Sequence, residues 1–181
     1  MTVPNLITIL RIILVPIFII YMINNRTSAS LVIFLIASVS DALDGFIAKV
    51  FHQKSNLGAH LDPLADKILL MSAFIILAIF KMIPSWLAVL TISRDVIILL
   101  GVLVLYLNDY PVKINPSLLS KATTCIQVAT IIVVLSNDYI DITFLGMYPF
   151  WLAAIFTIAS GLQYIRSGLI ILSQGVNSNF T

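Results

Sequence analysis

The feature that most constrains this chain is a series of long apolar runs. Runs of roughly twenty residues, enough for a helix to cross ~30 Å of hydrocarbon, occur about six times. Turn residues separate them at Asn24-Asn25, Gly58, Pro84, residues 108–116 and Asn137-Asp138. The runs do not alternate as the strands of a β-barrel would. Their approximate spans are 3–23, 30–51, 62–80, 85–107, 117–136 and 148–172.

Composition supports the same class. Of the 181 residues, 60% are hydrophobic and 10% are charged, whereas a soluble domain is about half apolar and a quarter charged. We therefore predict an all-α integral membrane protein, a six-transmembrane-helix bundle that forms a single domain over residues 1–181. The net charge of +2 and the absence of a basic arm argue against nucleic acid as a partner.

The distribution of basic residues predicts the orientation. An even number of spans places both termini on one side, and basic residues favour the cytoplasmic side. If the N-terminus is inside, the outer side holds Arg26 and Lys81. The inner ends and loops hold more: Lys49, Lys54, Lys113, Lys121 and Arg166. The charged residues within the spans then converge on one layer, which predicts a polar cavity open to the cytoplasm.

One segment, SDALDGFIAKVFHQKSNLGAHLDPLADK (residues 40–67), concentrates acidic charge. It holds four of the chain's eight acidic residues, Asp41, Asp44, Asp62 and Asp66. The first two are spaced i, i+3 and the last two i, i+4, so each pair shares one face of its helix. Gly45 and Ala48 lie on the face of the first pair and leave room for close approach to the backbone.

Four carboxylates in an apolar bundle repel one another and do not stay ionised without cations between them. Mg²⁺ or Mn²⁺, which prefer oxygen ligands, would neutralise them. Two such ions about 4 Å apart suit a displacement at phosphorus. Each Asp also has a structural explanation: Asp62-Pro63 could cap a helix, and Asp41 could pair with Lys49 or Lys54. Two same-face pairs on consecutive helices favour the metal site.

Other conspicuous residues are given ordinary roles. His52 and His60 flank the loop between the second and third runs and are predicted to be exposed loop residues. Cys125, the single cysteine, is predicted to be small packing surface inside its run. Trp86 and Trp151 lie near the outer ends of their helices and are predicted to be interfacial anchors.

The acidic segment resembles the signature of the CDP-alcohol phosphatidyltransferases: D, two residues, D-G, two residues, A-R, eight residues, G, three residues, D, three residues, D. Every spacing is kept, and Lys49 replaces the usual Arg. The matching positions are Asp41, Asp44, Gly45, Ala48, Lys49, Gly58, Asp62 and Asp66. The segments VPNLITILRI, LDPLADK, ISRD (92–95) and LLSKATTCIQ (118–127) also resemble the glycerol-phosphate and cardiolipin branches of this family.

The resemblance implies transfer of a phosphatidyl group from CDP-diacylglycerol to an alcohol, with release of CMP. It implies that Asp41, Asp44 and Asp62 ligate the metals, that Asp66 also lies near them, and that Asp66 is the base that takes the acceptor's proton. Gly45, Ala48 and Gly58 would lie against the nucleotide, and Lys49 would contact the diphosphate. A homodimer in the bacterial cytoplasmic membrane, with its active site facing the cytoplasm, is expected as well.

Charged residues on the other helices suggest an acceptor pocket. Arg94, Lys121 and Arg166 are predicted to bind a phosphorylated acceptor, although Arg166 could instead snorkel to the surface and Arg94 could pair with Asp95. On the first helix, three residues spaced i, i+3 and i+6 are predicted to line the nucleotide or diphosphate end of the cavity: Asn5, Thr8 and Arg11.

Several functions stay open at this point. Glycerol-3-phosphate is the preferred acceptor and would give phosphatidylglycerophosphate, while phosphatidylglycerol would give cardiolipin. An ion-coupled transporter would also place Asp and Arg inside a bundle, but no repeat symmetry is visible. An intramembrane prenyltransferase should spread its acidic motifs over a longer bundle. A purely structural subunit leaves the four carboxylates without an explanation.

Overall fold

The computed structural model describes the backbone of residues 3–51, 56–107, 117–139 and 145–178. It describes the side chains of residues 9–40, 67–102, 117–137 and 145–170, together with those of residues 104, 107 and 139. The described backbone is helical and contains no strand, which confirms the all-α prediction. The helices are α1 (Val3–Ile23), α2 (Thr27–Phe51), α3 (Asn56–Ile79), α4 (Ser85–Leu107), α5 (Leu118–Leu135) and α6 (Tyr148–Ser178), with a short 3-10 helix at Ser136–Asp138.

The outer surface of the bundle is apolar. Large hydrophobic side chains face outward along the helices, among them Ile20, Val89 and Leu162, and such a surface is unfavourable in water. Within the described residues, three stretches are long and apolar enough to cross a membrane: Ser85–Val102, Leu118–Leu135 and Tyr148–Ile170. The other three helices contribute shorter apolar stretches, Ile9–Ile23, Thr27–Ser40 and Lys67–Ile79. The structure is a membrane helical bundle, and the number of spans stays a prediction.

The helices pack as two groups of three. In the first group α1 packs against both α2 and α3, and in the second α6 packs against both α4 and α5. Contacts of α3 with α4, and of α2 with α5, join the groups. We call the first group the N-terminal half and the second the C-terminal half. The acidic segment belongs to the N-terminal half, and the three predicted acceptor residues belong to the C-terminal half.

Interlocking aromatic and aliphatic side chains fill the core. Phe18 of α1 and Phe34 of α2 are completely buried, and their ring centroids lie 5.9 Å apart. From α3, Phe74 and Leu77 are also completely buried. Since lipid is as apolar as this core, close packing rather than the hydrophobic effect stabilises these contacts.

The observed helix ends correct part of the sequence reading. The bounds of α1 and α4 agree with the predicted spans, but α2 begins at Thr27 and α3 begins at Asn56, earlier than predicted. Gly58 and His60 therefore lie in α3, so Gly58 does not separate two helices and His60 is not a loop residue. The cost of glycine in a helix, about 1 kcal/mol, is small enough for the surrounding sequence to override. His52 lies outside the described residues.

The early start of α3 also removes one structural explanation. Asp62 lies inside the helix rather than at its first residue, so it is not a helix cap. Cys125 is exposed, so the prediction that it is packing surface was wrong. It lies on the outward side of α5, two residues from the buried Gln127. Trp86 and Trp151 are both exposed, with ring centroids 5.3 Å apart, and their role as interfacial anchors stays a prediction.

The aromatic contact between α1 and α2 should be a main determinant of stability. Replacing Phe18 by Ala leaves a cavity at a fully packed position and should lower the free energy of unfolding by about 3–5 kcal/mol. Thermal unfolding in a single detergent measures the effect. Ile20→Ala, on the outward side of the same helix, is the control. Equal losses for the two variants would contradict the packing described here.

Candidate functional site

A buried arginine connects the helices of the C-terminal half. Arg94, near the middle of α4, is only 4% exposed. Its Nη1 donates to Asp95 Oδ1 at 2.6 Å, and its Nη2 donates to Ser120 Oγ at 2.8 Å and to Ser160 Oγ at 2.7 Å. The guanidinium carbon lies 5.9 Å from the centroid of the Tyr164 ring, within range of a cation–π interaction. One side chain therefore contacts both α5 and α6.

The partner of Arg94 also holds a cation from the other half. Lys67 of α3 donates from Nζ to the same oxygen, Asp95 Oδ1. Asp95 is 1% exposed, and the Lys67 side chain is 24% exposed. Two positive charges and one negative charge thus meet where α3 packs against α4. The three residues Lys67, Arg94 and Asp95 are called the charge cluster below.

Further polar contacts hold α5 against α6. Ser117 caps α5 by accepting from the backbone N–H of Ser120 at 3.1 Å, and its hydroxyl donates to Gln163 Oε1 at 2.9 Å. Deeper in the bundle, Gln127 Nε2 donates to Thr157 Oγ1 at 3.1 Å. Hydrogen bonds of this kind join helices inside membranes. The beginning of α5, with Ser120 beside the cluster, is thereby fixed against α6.

The acidic residues of the predicted site lie on regular helix. Asp41 and Asp44 belong to α2, and Asp62 and Asp66 belong to the first half of α3. Their side chains, like those of Gly45, Ala48, Lys49 and Gly58, lie outside the described set. Because the backbone of both segments is helical, the i, i+3 and i, i+4 spacings place each acidic pair on one face of its helix. Whether the four carboxylates meet stays a prediction.

The first helix contributes one described member of the predicted site. Arg11 is completely buried on α1, which packs against both α2 and α3. A guanidinium inside an apolar bundle is costly unless acidic or polar groups surround it. It lies on the helix that packs against both acid-bearing helices, and its place in the predicted cavity stays a prediction. The side chains of Asn5 and Thr8, on the same helix, lie outside the described set.

The three predicted acceptor residues have different surroundings. Arg94 is buried in the charge cluster, whereas Lys121 and Arg166 are exposed. Arg166 lines an open groove of about 640 Å³ on α6, together with Leu162, Ile165, Leu169 and Ile170. The described contacts do not join these three cations to one another. Lys121 directly follows Ser120, a hydrogen-bond partner of Arg94, so the backbone of Lys121 lies close to the charge cluster.

Several members of this site were not predicted from the sequence. Lys67, Ser120, Ser160 and Tyr164 had no predicted role, whereas an Arg94–Asp95 pair was considered and is confirmed by the structure. A lysine in α3 opposite an Arg-Asp pair in α4 was the available signal, because buried charges need partners. Among the described side chains, no group of three or more His, Cys or carboxylate residues could hold a metal ion.

The fold and the buried charges define a helical membrane protein with a polar interior. The sequence then specifies the family: the family model described as CDP-alcohol phosphatidyltransferase matches residues 1–159. The chain belongs to the CDP-alcohol phosphatidyltransferase family. The matched region includes the acidic segment and the whole charge cluster.

The relatives of this chain include proteins with two different enzyme names. The chain is 35% identical to CDP-diacylglycerol–glycerol-3-phosphate 3-phosphatidyltransferase of Bacillus subtilis (strain 168), over 89% of this chain and 92% of the relative. It is 31% identical to the protein of the same name from Wigglesworthia glossinidia brevipalpis, over 91% and 93%. It is also 32% identical to cardiolipin synthase (CMP-forming) of Rattus norvegicus, over 92% of this chain but 61% of that relative.

The contacts of Arg94 predict that lysine cannot replace it. In Arg94→Lys a single ammonium group cannot reach Asp95, Ser120 and Ser160 together, because it lacks the planar fork. Leaving the buried hydroxyl of Ser160 and the half-buried hydroxyl of Ser120 without their donor should lower the free energy of unfolding by about 1–3 kcal/mol. Thermal unfolding in detergent measures this loss. Arg26→Lys, at an exposed position, should change little, and an equally small change in Arg94→Lys would contradict the network.

Proposed function

We propose that the protein transfers the phosphatidyl group of CDP-diacylglycerol to an alcohol acceptor and releases CMP, and that the acceptor is glycerol-3-phosphate. The observation that carries this proposal is the acidic signature, with all its spacings, on two helices of a membrane bundle. The Bacillus subtilis relative, whose name gives this activity, aligns over nearly its full length. The product would be phosphatidylglycerophosphate, a phospholipid precursor.

We also propose that Asp41, Asp44, Asp62 and Asp66 hold two divalent ions, Mg²⁺ or Mn²⁺. The donor set fits, because hard carboxylate oxygens are the ligands these ions prefer and because each pair lies on one face of a regular helix. When bound, the ions would neutralise the diphosphate oxygens and stabilise CMP as it leaves.

The remaining residues of the segment receive roles from the same proposal. Asp66 takes the proton of the acceptor hydroxyl. The acceptor oxygen then forms its bond to the phosphatidyl phosphorus, and the bond from that phosphorus to the CMP oxygen breaks. Lys49 contacts the diphosphate as a point charge, without the fork of an arginine. The nucleotide end of the cavity is lined by Asn5, Thr8, Arg11, Gly45, Ala48 and Gly58.

The acceptor would bind toward the C-terminal half. Arg94, Lys121 and Arg166 supply the positive charge for its phosphate. In support, the charge cluster carries one more positive than negative charge, and the backbone of Lys121 lies next to the cluster. The exposed position of Arg166 favours a contact at the membrane surface over one inside the cavity.

The second candidate is cardiolipin synthesis, with phosphatidylglycerol as the acceptor. Similarity to the rat cardiolipin synthase, at 32% identity, favours it. The greater length of that relative and the full-length alignment with the bacterial phosphatidyltransferases favour glycerol-3-phosphate.

We place the protein in the bacterial cytoplasmic membrane, with its active site facing the cytoplasm, and infer a homodimer. Excess basic charge at the proposed inner ends supports the orientation. A site near that surface suits the substrate, since CDP is polar while the acyl chains stay in the bilayer. The dimer rests on the family resemblance.

The activity is tested with purified protein in detergent, supplied with CDP-diacylglycerol, Mg²⁺ or Mn²⁺, and one acceptor at a time. CMP release is expected with glycerol-3-phosphate and should stop on chelation of the metal. Asp66→Asn should abolish it, because the amide cannot take the proton. The matched control is Asp138→Asn, which makes the same change in the 3-10 helix after α5.

The outcomes separate the candidates. Release with phosphatidylglycerol alone would identify a cardiolipin synthase. No release with any alcohol would contradict the phosphatidyltransferase proposal and favour an ion-coupled transporter. Full activity of Asp66→Asn would contradict the role of that carboxylate while leaving the reaction in place.

A further inference from the structure

We propose that Lys67 and Asp95 are positioning residues, whose ion pair fixes the acidic turn of α3 against the C-terminal half. This inference rests on the proposed function, because that function assigns catalysis to Asp66. Neither residue is assigned contact with substrate or metal. Their effect on the reaction is transmitted through the backbone of α3.

The geometry of the pair supports a holding role. The ammonium of Lys67 and the guanidinium of Arg94 both donate to Asp95 Oδ1, while Asp95 is 1% exposed. An ion pair at such a site is screened little by solvent. Removal of the carboxylate would take away the counter-charge that both cations share, which is strongly unfavourable in an apolar interior. The pair therefore resists separation of α3 from α4.

The pair crosses the junction between the two halves. Lys67 belongs to α3, and Asp95 belongs to α4, which packs against α6. Through Arg94 the same carboxylate is coupled to Ser120 of α5 and Ser160 of α6. Helix α3 of the N-terminal half is thus connected to a network that spans all three helices of the C-terminal half.

The location along α3 makes this connection relevant to the reaction. Lys67 directly follows Asp66 and lies five residues after Asp62, on the same helix. Because a helix is stiff over one or two turns, a shift or rotation at Lys67 moves both acidic positions. Transfer to an acceptor held by the C-terminal half depends on that placement, and a misplacement of about 1 Å costs on the order of 100-fold in rate.

A double-mutant cycle tests the pair. Lys67→Met keeps the length of the side chain without its charge, and Asp95→Asn keeps the shape without its charge. Each should lower kcat by about 10- to 100-fold while the KM value for CDP-diacylglycerol changes little. The double variant should be no slower than the slower single variant, because both changes remove one interaction.

Thermal stability is a second measurement. If the ion pair had a merely structural role, kcat would change in parallel with stability. Asp95→Asn should unfold at a lower temperature than the wild type, because the buried Arg94 and the partly buried Lys67 lose the carboxylate that they share. Adding Lys67→Met removes one of those cations, so the double variant should regain part of the lost stability. Its kcat should stay low. Recovery of kcat in parallel with stability would overturn the positioning role.

The controls make the same chemical changes away from the charge cluster. Lys81→Met, at an exposed position just beyond the other end of α3, and Asp138→Asn should keep wild-type kcat. Wild-type kcat in Lys67→Met and Asp95→Asn would overturn the proposal, and so would a raised acceptor KM at unchanged kcat, which indicates binding. A wild-type protein that releases no CMP would contradict the proposed function itself.

Discussion

A charged side chain inside an apolar bundle is stable only where a side chain or a bound ion of opposite charge compensates it, and this constraint shapes the whole molecule. Lys67, Arg94 and Asp95 meet it directly, since two cations share one buried carboxylate. The cost of an ionised side chain at the centre of a membrane helix, about 2.5–3.5 kcal/mol on insertion scales, explains why such groups gather in clusters. The four aspartates of the acidic segment face the same requirement, and bound divalent ions would satisfy it.

The division of the bundle into two halves gives this charge distribution a functional meaning. The N-terminal half carries the acidic signature and the buried Arg11, while the C-terminal half carries the predicted acceptor residues. The core of packed aromatic and aliphatic side chains stabilises the N-terminal half by close contact, because the surrounding lipid is equally apolar. Polar contacts are directional, so the ion pair between α3 and α4 is well suited to fix how the halves meet.

Much of the fold could be predicted from the sequence, because apolar runs of membrane-spanning length identify helices almost independently of tertiary context. The bounds of α1 and α4 were predicted in this way. The beginning of α3 was not, because Gly58 and His60 resemble turn residues locally yet continue the helix. The acidic positions were identified from spacing, which a helix converts directly into a shared face. Pairing between helices has no such local signature, so Lys67 opposite Asp95, and Ser120 and Ser160 around Arg94, required the structure.

The central claim is that aspartates from two helices share their metal ions. The most direct measurement is Mn²⁺ binding to the purified protein, followed by the paramagnetic resonance signal of the free ion, for the wild type and for Asp41→Asn and Asp62→Asn. Binding by the wild type is expected, with a loss of affinity of at least about 10-fold in each variant, although the two positions lie on different helices. No binding by the wild type, or a loss confined to one helix, would contradict it.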